Sequence, residues 1–180
     1  MAEPWSPSVA QTARLFLALW PQDPVRSELA RWGRAWRWPA GARPVEAQRL
    51  HVTLHFIGPV AVERVGALRE GLHVPFEPFD LALPHGAARV WPGGIAVLEL
   101  EAPAPLQRLH AALAQALHAA GLPVEERRFR PHVTFARKAA GAVPPAIPPQ
   151  GDWRVDGGYA LVHSVPARGY AVVHTWPPQG

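Results

Sequence analysis

The chain has 180 residues, 48% of them hydrophobic, which suffices for one domain with a real core, and a formal net charge of +4. It has no cysteine, which excludes a disulfide scaffold, a zinc–thiolate centre and a thiol nucleophile. It shows neither a signal-type leader nor an apolar run long enough to span a membrane, so a cytoplasmic protein without a membrane partner is expected, as a monomer.

Residues 1–13 read as a flexible leader and 14–180 as a single bilobal domain. Arg14 to Trp20 is an apolar run closed by Pro21 and predicts a buried first strand. A helix follows Pro24, with Val25, Leu29, Trp32 and Trp36 at helical spacing, and stops before Pro39. Leu50 to Ile57 predicts a strand ended by Gly58-Pro59, and Val62 to Leu72 a second amphipathic helix. Three strands are expected at Phe79–Leu83, Ala87–Val90 and Ile95–Glu101, the last two joined by a turn at Pro92-Gly93-Gly94. Pro105 to Ala120 carries Leu106, Leu109, Leu113 and Leu117 on one stripe, with Gly121 as its stop. Strands at His132–Ala136, Tyr159–Ser164 and Tyr170–Thr175 complete the reading, and the Pro-rich stretch Val143–Gln150 is a surface connection.

One tripeptide occurs twice: His51-Val52-Thr53 and, 81 residues later (132 minus 51), His132-Val133-Thr134. In a strand, alternate side chains share a face, so each His and its Thr project together about 6.6 Å apart while Val52, Leu54, Val133 and Phe135 point to the other side. Each copy thus offers a proton-transfer group and a hydroxyl donor on one surface. Opening a cyclic phosphodiester requires a base to activate water and an acid to protonate the leaving oxygen, and an imidazole serves in either role near neutral pH. Duplication of a β/α lobe about a pseudo-twofold axis would bring the two copies together.

The paired motifs, the approach RPVEAQRLHVTLHFIG, the second site RFRPHVTFAR and the closing SVPARGYAVVHTW resemble the 2H phosphoesterase superfamily. Within it they are most similar to the bacterial and archaeal RNA 2′,3′-cyclic phosphodiesterases, also called 2′-5′ RNA ligases, over about Arg14 to Trp176. The resemblance implies an α+β fold of two pseudo-symmetric lobes, each an antiparallel sheet with outer helices, flanking a central cleft. It implies hydrolysis of an RNA terminal 2′,3′-cyclic phosphate to a 2′-phosphate, with reversible 2′-5′ joining of ends, and with neither cofactor nor metal. His51 would be the proton donor and His132 the acceptor, with Thr53 and Thr134 donating to the phosphate. Arg130 and Arg137 would meet phosphate or RNA, and Phe56 would stack on a base. Two alternatives stand beside this: a phosphodiesterase for small cyclic or 2′-5′ linked nucleotides, and a nucleotide-binding module without turnover.

The basic residues are nearly all arginine, Lys138 being the only lysine, a composition suited to bidentate phosphate contacts. His55 departs from the family pattern, where a small or apolar residue is usual. Chelation of a metal by His51 and His55 is rejected, because residues i and i+4 of a strand lie roughly 13 Å apart. His55 and the other histidines outside the motifs read as structural or surface groups, Trp32, Trp36 and Trp38 as packing, and Arg127-Arg128 as a solvated charge cluster.

Overall fold

The computed structural model describes residues 11–166 and 168–179. Ten strands and three α-helices follow one another as β1 (Thr12–Leu19), α1 (Val25–Arg34), β2 (Arg43–Pro44), β3 (Val52–Ala61), α2 (Val65–Gly71), β4 (Phe79–Ala82), β5 (Ala87–Trp91), β6 (Ile95–Glu99), α3 (Ala104–Ala119), β7 (His132–Arg137), β8 (Asp152–Val155), β9 (Tyr159–Val165) and β10 (Gly169–Trp176). The expected leader falls mostly outside the described residues, but its last two, Thr12 and Ala13, already belong to β1.

The main sheet is antiparallel, in the order β10-β9-β1-β3-β7-β6-β5, with the short β2 on the free part of β7; β4 and β8 form a separate pair. Four strands up to β3 make one lobe, and β7, β6, β5 and β2 make the other. The lobes join at a single registered pair, Val52 opposite Val133. The two motif strands therefore lie side by side at the floor of the cleft.

The hydrophobic pattern explains the layers. Leu15, Leu17 and Leu19 of β1, Val52 and Leu54 of β3, and Val133 and Phe135 of β7 all enter one core, which the leucine stripe of α3 completes with Leu106, Leu109, Leu113 and Leu117. Phe16 and Ala18, on the alternate side of β1, form a smaller cluster with Ala160 and Val162 of β9 on the cleft face. The helices are exchanged between lobes: Trp32 of α1 packs edge-on against Phe135 of β7 at 5.0 Å, and His110 of α3 stacks on His55 of β3 at 4.0 Å. A Cβ on Gly33 of α1 would stand 2.7 Å from the Phe135 ring, so that close approach requires glycine. Trp32 and Trp36 are buried and Trp38 stacks on Trp36 at 5.0 Å, in the packing role expected of them.

Two expectations need correction, and one strand lies where none was assigned. Gly58-Pro59 does not end the strand: β3 runs on to Ala61, with Gly58 at φ +83° and Pro59 registered against Arg14. Past Val52 the outer edge of β3 has no registered partner among the described residues, so a residue lacking an N–H is tolerated there. The predicted helix Val62–Leu72 divides into a 3-10 turn, Val62–Arg64, and the short α2. The stretch after Gln150 conceals β8, whose Trp153 and Val155 face the core while Asp152 and Arg154 face solvent.

Candidate active site

The register builds the site. In antiparallel pairing, the neighbours of Val52 and Val133 fall with His51 beside Thr134 and Thr53 beside His132, all four on the face opposite the two valines. Both motif strands then carry a bulge one residue after the threonine. On β3 the register moves from Ala18–Thr53 to Leu17–His55, leaving Leu54 as the extra residue. On β7 it moves from Val97–Thr134 to Ala96–Ala136, leaving Phe135 extra. A bulge reverses which residues face which side beyond it. Hence Phe56 and Arg137, equivalent positions in the two lobes, turn to the cleft and are exposed, while His55 turns into the core and is only 2% exposed.

His55 bonds through Nε2 to the carbonyl of His110, and His110 in turn stacks on Phe129 at 3.9 Å. His51 and His55 thus occupy opposite faces of β3, and both His55 and His110 have the structural surroundings expected of them.

Both motif histidines are held in the same way. Nδ1 of His51 donates to the carbonyl of Arg49 at 2.6 Å, and Nδ1 of His132 donates to that of Arg130 at 2.8 Å. With the proton on Nδ1, the neutral ring directs the Nε2 lone pair at the cleft; this follows from the acceptor being a carbonyl. Nε2 of His51 also meets the Thr53 hydroxyl at 3.1 Å.

The surroundings of the two rings differ. His51 lies flat on Trp20, 4.9 Å and 12° from parallel, with Phe16 at 5.2 Å and the edge of Tyr170 at 5.4 Å. Trp20 is itself tied to the carbonyl of Gln48 at 3.1 Å. His132 packs on Trp91 at 4.4 Å. Glu99, registered opposite His132, accepts from Trp91 Nε1 at 2.5 Å and from Arg130 at 2.6 Å, and pairs with Arg89 at 3.3 Å. The Arg130 guanidinium also sits over Trp91 at 4.8 Å, so it is engaged in holding the His132 niche. Arg137, expected to meet phosphate, is exposed at the cleft end of β7.

Burial depresses both histidine pKa values below 6.5. For His51 the positive charges of His132 and Arg137 add to this, opposed by the bond to Arg49. For His132 the bond to Arg130 and the charge of Glu99 oppose it, while the charges of Arg130 and Arg137 add to it. Each imidazole therefore holds its proton less tightly than a free one, and a single such ring serves as acid in one protonation state and as base in the other.

Sequence reasoning missed Trp20, Tyr170, Trp91 and Glu99, which complete the two niches. Each lies more than 30 residues from the histidine it serves, and only the strand register brings it there.

The 2′-5′ RNA ligase superfamily model matches residues 21–156. The RNA 2′,3′-cyclic phosphodiesterase of Thermus thermophilus is 33% identical over 167 residues, covering 84% of this chain and 81% of the relative. The RNA 2′,3′-cyclic phosphodiesterase of Escherichia coli is 30% identical over 144 residues, with 79% and 81% covered. The crystal structure of E. coli LigT with 3′-AMP superposes with a TM-score of 0.77 at 27% identity, over 94% of this chain and 100% of that one. With the family model covering most of its length and its antiparallel lobes superposing on those of LigT, the chain belongs to the 2′-5′ RNA ligase superfamily.

Proposed function

We propose that the chain opens the 2′,3′-cyclic phosphate at an RNA end to leave a 2′-phosphate, using two imidazoles as acid and base. The observation that carries this reading is the pair of histidines on one face of adjoining strands, each with Nδ1 tied to a carbonyl and Nε2 on the cleft side, that of His51 beside the Thr53 hydroxyl. A binding module has no need of two such groups. The names of the relatives support the substrate class.

In the proposed step, Nε2 of His132 removes a proton from water as its oxygen bonds to phosphorus. The phosphorus–O3′ bond breaks, and protonated Nε2 of His51 delivers its proton to O3′. The product is a 2′-phosphate monoester with a free 3′-hydroxyl, and both rings regain their starting states after proton exchange with solvent. Thr53 and Thr134 donate hydrogen bonds to the non-bridging oxygens, and the Arg137 charge offsets the negative charge that grows there. Phe56, 55% exposed beside the motif, offers a ring to a base. With a 5′-hydroxyl oxygen in place of water, the same two groups would form a 2′-5′ linkage.

The test is incubation with RNA ending in a 2′,3′-cyclic phosphate, with and without EDTA, followed by identification of the product end. Expected are a 2′-phosphate, a rate unchanged by the chelator, and a loss of at least about 100-fold in His51→Ala and in His132→Ala. Near-normal turnover by either folded variant refutes the two-histidine mechanism, and a chelator-sensitive rate refutes its independence of metal.

A further inference from the structure

The two-residue strand β2 places Arg43 directly opposite Arg137 of β7. Residues opposite one another across antiparallel strands send their side chains to the same side, so both guanidiniums rise on the cleft face. The arrangement is fixed locally: the Val45 amide donates to the Phe135 carbonyl at 2.7 Å, and Pro44 is registered against Ala136. Like charges directly opposite one another are unfavourable in a sheet unless something anionic lies between them. Near the His132 niche, Arg89 and Arg130 are both neutralised by Glu99. Arg43 and Arg137 are exposed and have no carboxylate partner within salt-bridge distance among the described residues.

The two guanidiniums differ in what they reach. Arg137 ends the strand that carries His132 and Thr134, whereas Arg43 lies on the neighbouring two-residue strand. Arg137, on the motif strand itself, is the nearer of the two to the reacting phosphate, and Arg43 stands one strand over. Single-stranded RNA presents its next negative charge one nucleotide along the backbone, and a second cation at the far side of the first is placed to meet it.

We propose that Arg43 is a substrate-binding residue that, beside Arg137 at the reacting phosphate, meets the phosphodiester joining the terminal nucleotide to its 5′ neighbour, and so selects an RNA end over a free cyclic mononucleotide. The proposal rests on the function proposed above. A cyclic mononucleotide has no such phosphodiester, so the contribution of Arg43 is realised only on an oligonucleotide.

The test compares wild type with Arg43→Gln and Arg43→Lys on two substrates, a short oligoribonucleotide with a 2′,3′-cyclic end and a nucleoside 2′,3′-cyclic monophosphate. For Arg43→Gln the ratio of oligonucleotide to mononucleotide kcat/KM is expected to fall about tenfold, through KM, as suits loss of one exposed charge-assisted contact. The slope of log kcat/KM for the oligonucleotide against log salt should become shallower by about 0.7, the share of one single-strand phosphate. Arg43→Lys should restore the slope. An equal loss on both substrates, or no loss on either, overturns the proposal. Failure of the wild type itself to open either substrate overturns the function on which it rests, and is distinguished by requiring no variant.

Discussion

Replacing His110 by Phe should make the protein more resistant to mild acid. The ring lies between His55 at 4.0 Å and Phe129 at 3.9 Å in the layer beneath β3, and a benzene ring fills the same space with the same stacking. Burial, reinforced by the neighbouring charge of His55 and opposed by a bond to Leu54 and the charge of Glu125, lowers the His110 pKa from 6.5 to about 4. A histidine with a lowered folded pKa is bound by more protons unfolded than folded between the two values, so stability falls as pH drops from 6.5 toward 4. At pH 5 the mismatch for this one group is about 2 kcal/mol, and at pH 7 it is close to zero. The assay is urea unfolding of wild type and His110→Phe at pH 7, 6 and 5, with the difference between the two followed against pH. The variant should gain about 2 kcal/mol relative to wild type from pH 7 to pH 5, whatever its offset at pH 7. Carboxylates such as Glu99, whose pKa is lowered, come into play only at more acid values, so they do not blur the window. A difference that stays flat, or moves the other way, refutes the assignment of acid sensitivity to this stack. The same measurement separates acid unfolding from reversible titration of the site.

Because burial lowers both His51 and His132 below 6.5, the bell-shaped profile of kcat/KM should peak on the acid side of that value; a peak clearly above pH 7 would count against the pair as the titrating groups. Glu99→Gln keeps acceptors for Trp91 and Arg130 but removes a charge that raises the His132 pKa, so the limb governed by His132 should move toward acid, and an unmoved profile would refute that influence. Arg137→Gln removes a charge that lowers both histidines, so both limbs should move toward alkali while KM rises; movement of one limb alone would show that the guanidinium does not reach both rings.

The sequence carried the parts of the fold that depend on local pattern. The stripe Leu106, Leu109, Leu113 and Leu117 is fully inside, the turn Pro92–Gly94 joins β5 to β6, and the two His-Val-Thr tripeptides lie on strands with their valines in the core. What could not be read from it depends on partners. Strict alternation from His51 assigns His55 to the cleft and Phe56 to the core; the bulge at Leu54 reverses both, and that bulge is a property of the pairing with β1. The same holds for Arg137 after Phe135. Pro59 was misleading because a proline ends a strand only where its missing N–H is needed, and the outer edge of β3 does not need it. Arg130 was legible as basic, but its engagement by Glu99 across 31 residues was not.

The exchange of helices between lobes bears on whether either half is a folding unit. Phe135 of the second half is covered by Trp32 of the first, and His55 of the first by His110 of the second. Cut between β4 and β5, the chain would yield two fragments, each with a histidine strand whose apolar underside lies bare. Neither should fold alone, while mixing them should recover the circular dichroism of the whole, and a helical spectrum with a cooperative melt from one fragment alone would contradict this. The halves are thus partners in folding rather than separate units, each lending the other the helix that covers its histidine strand, and the second half lending the first the strands β9 and β10 besides.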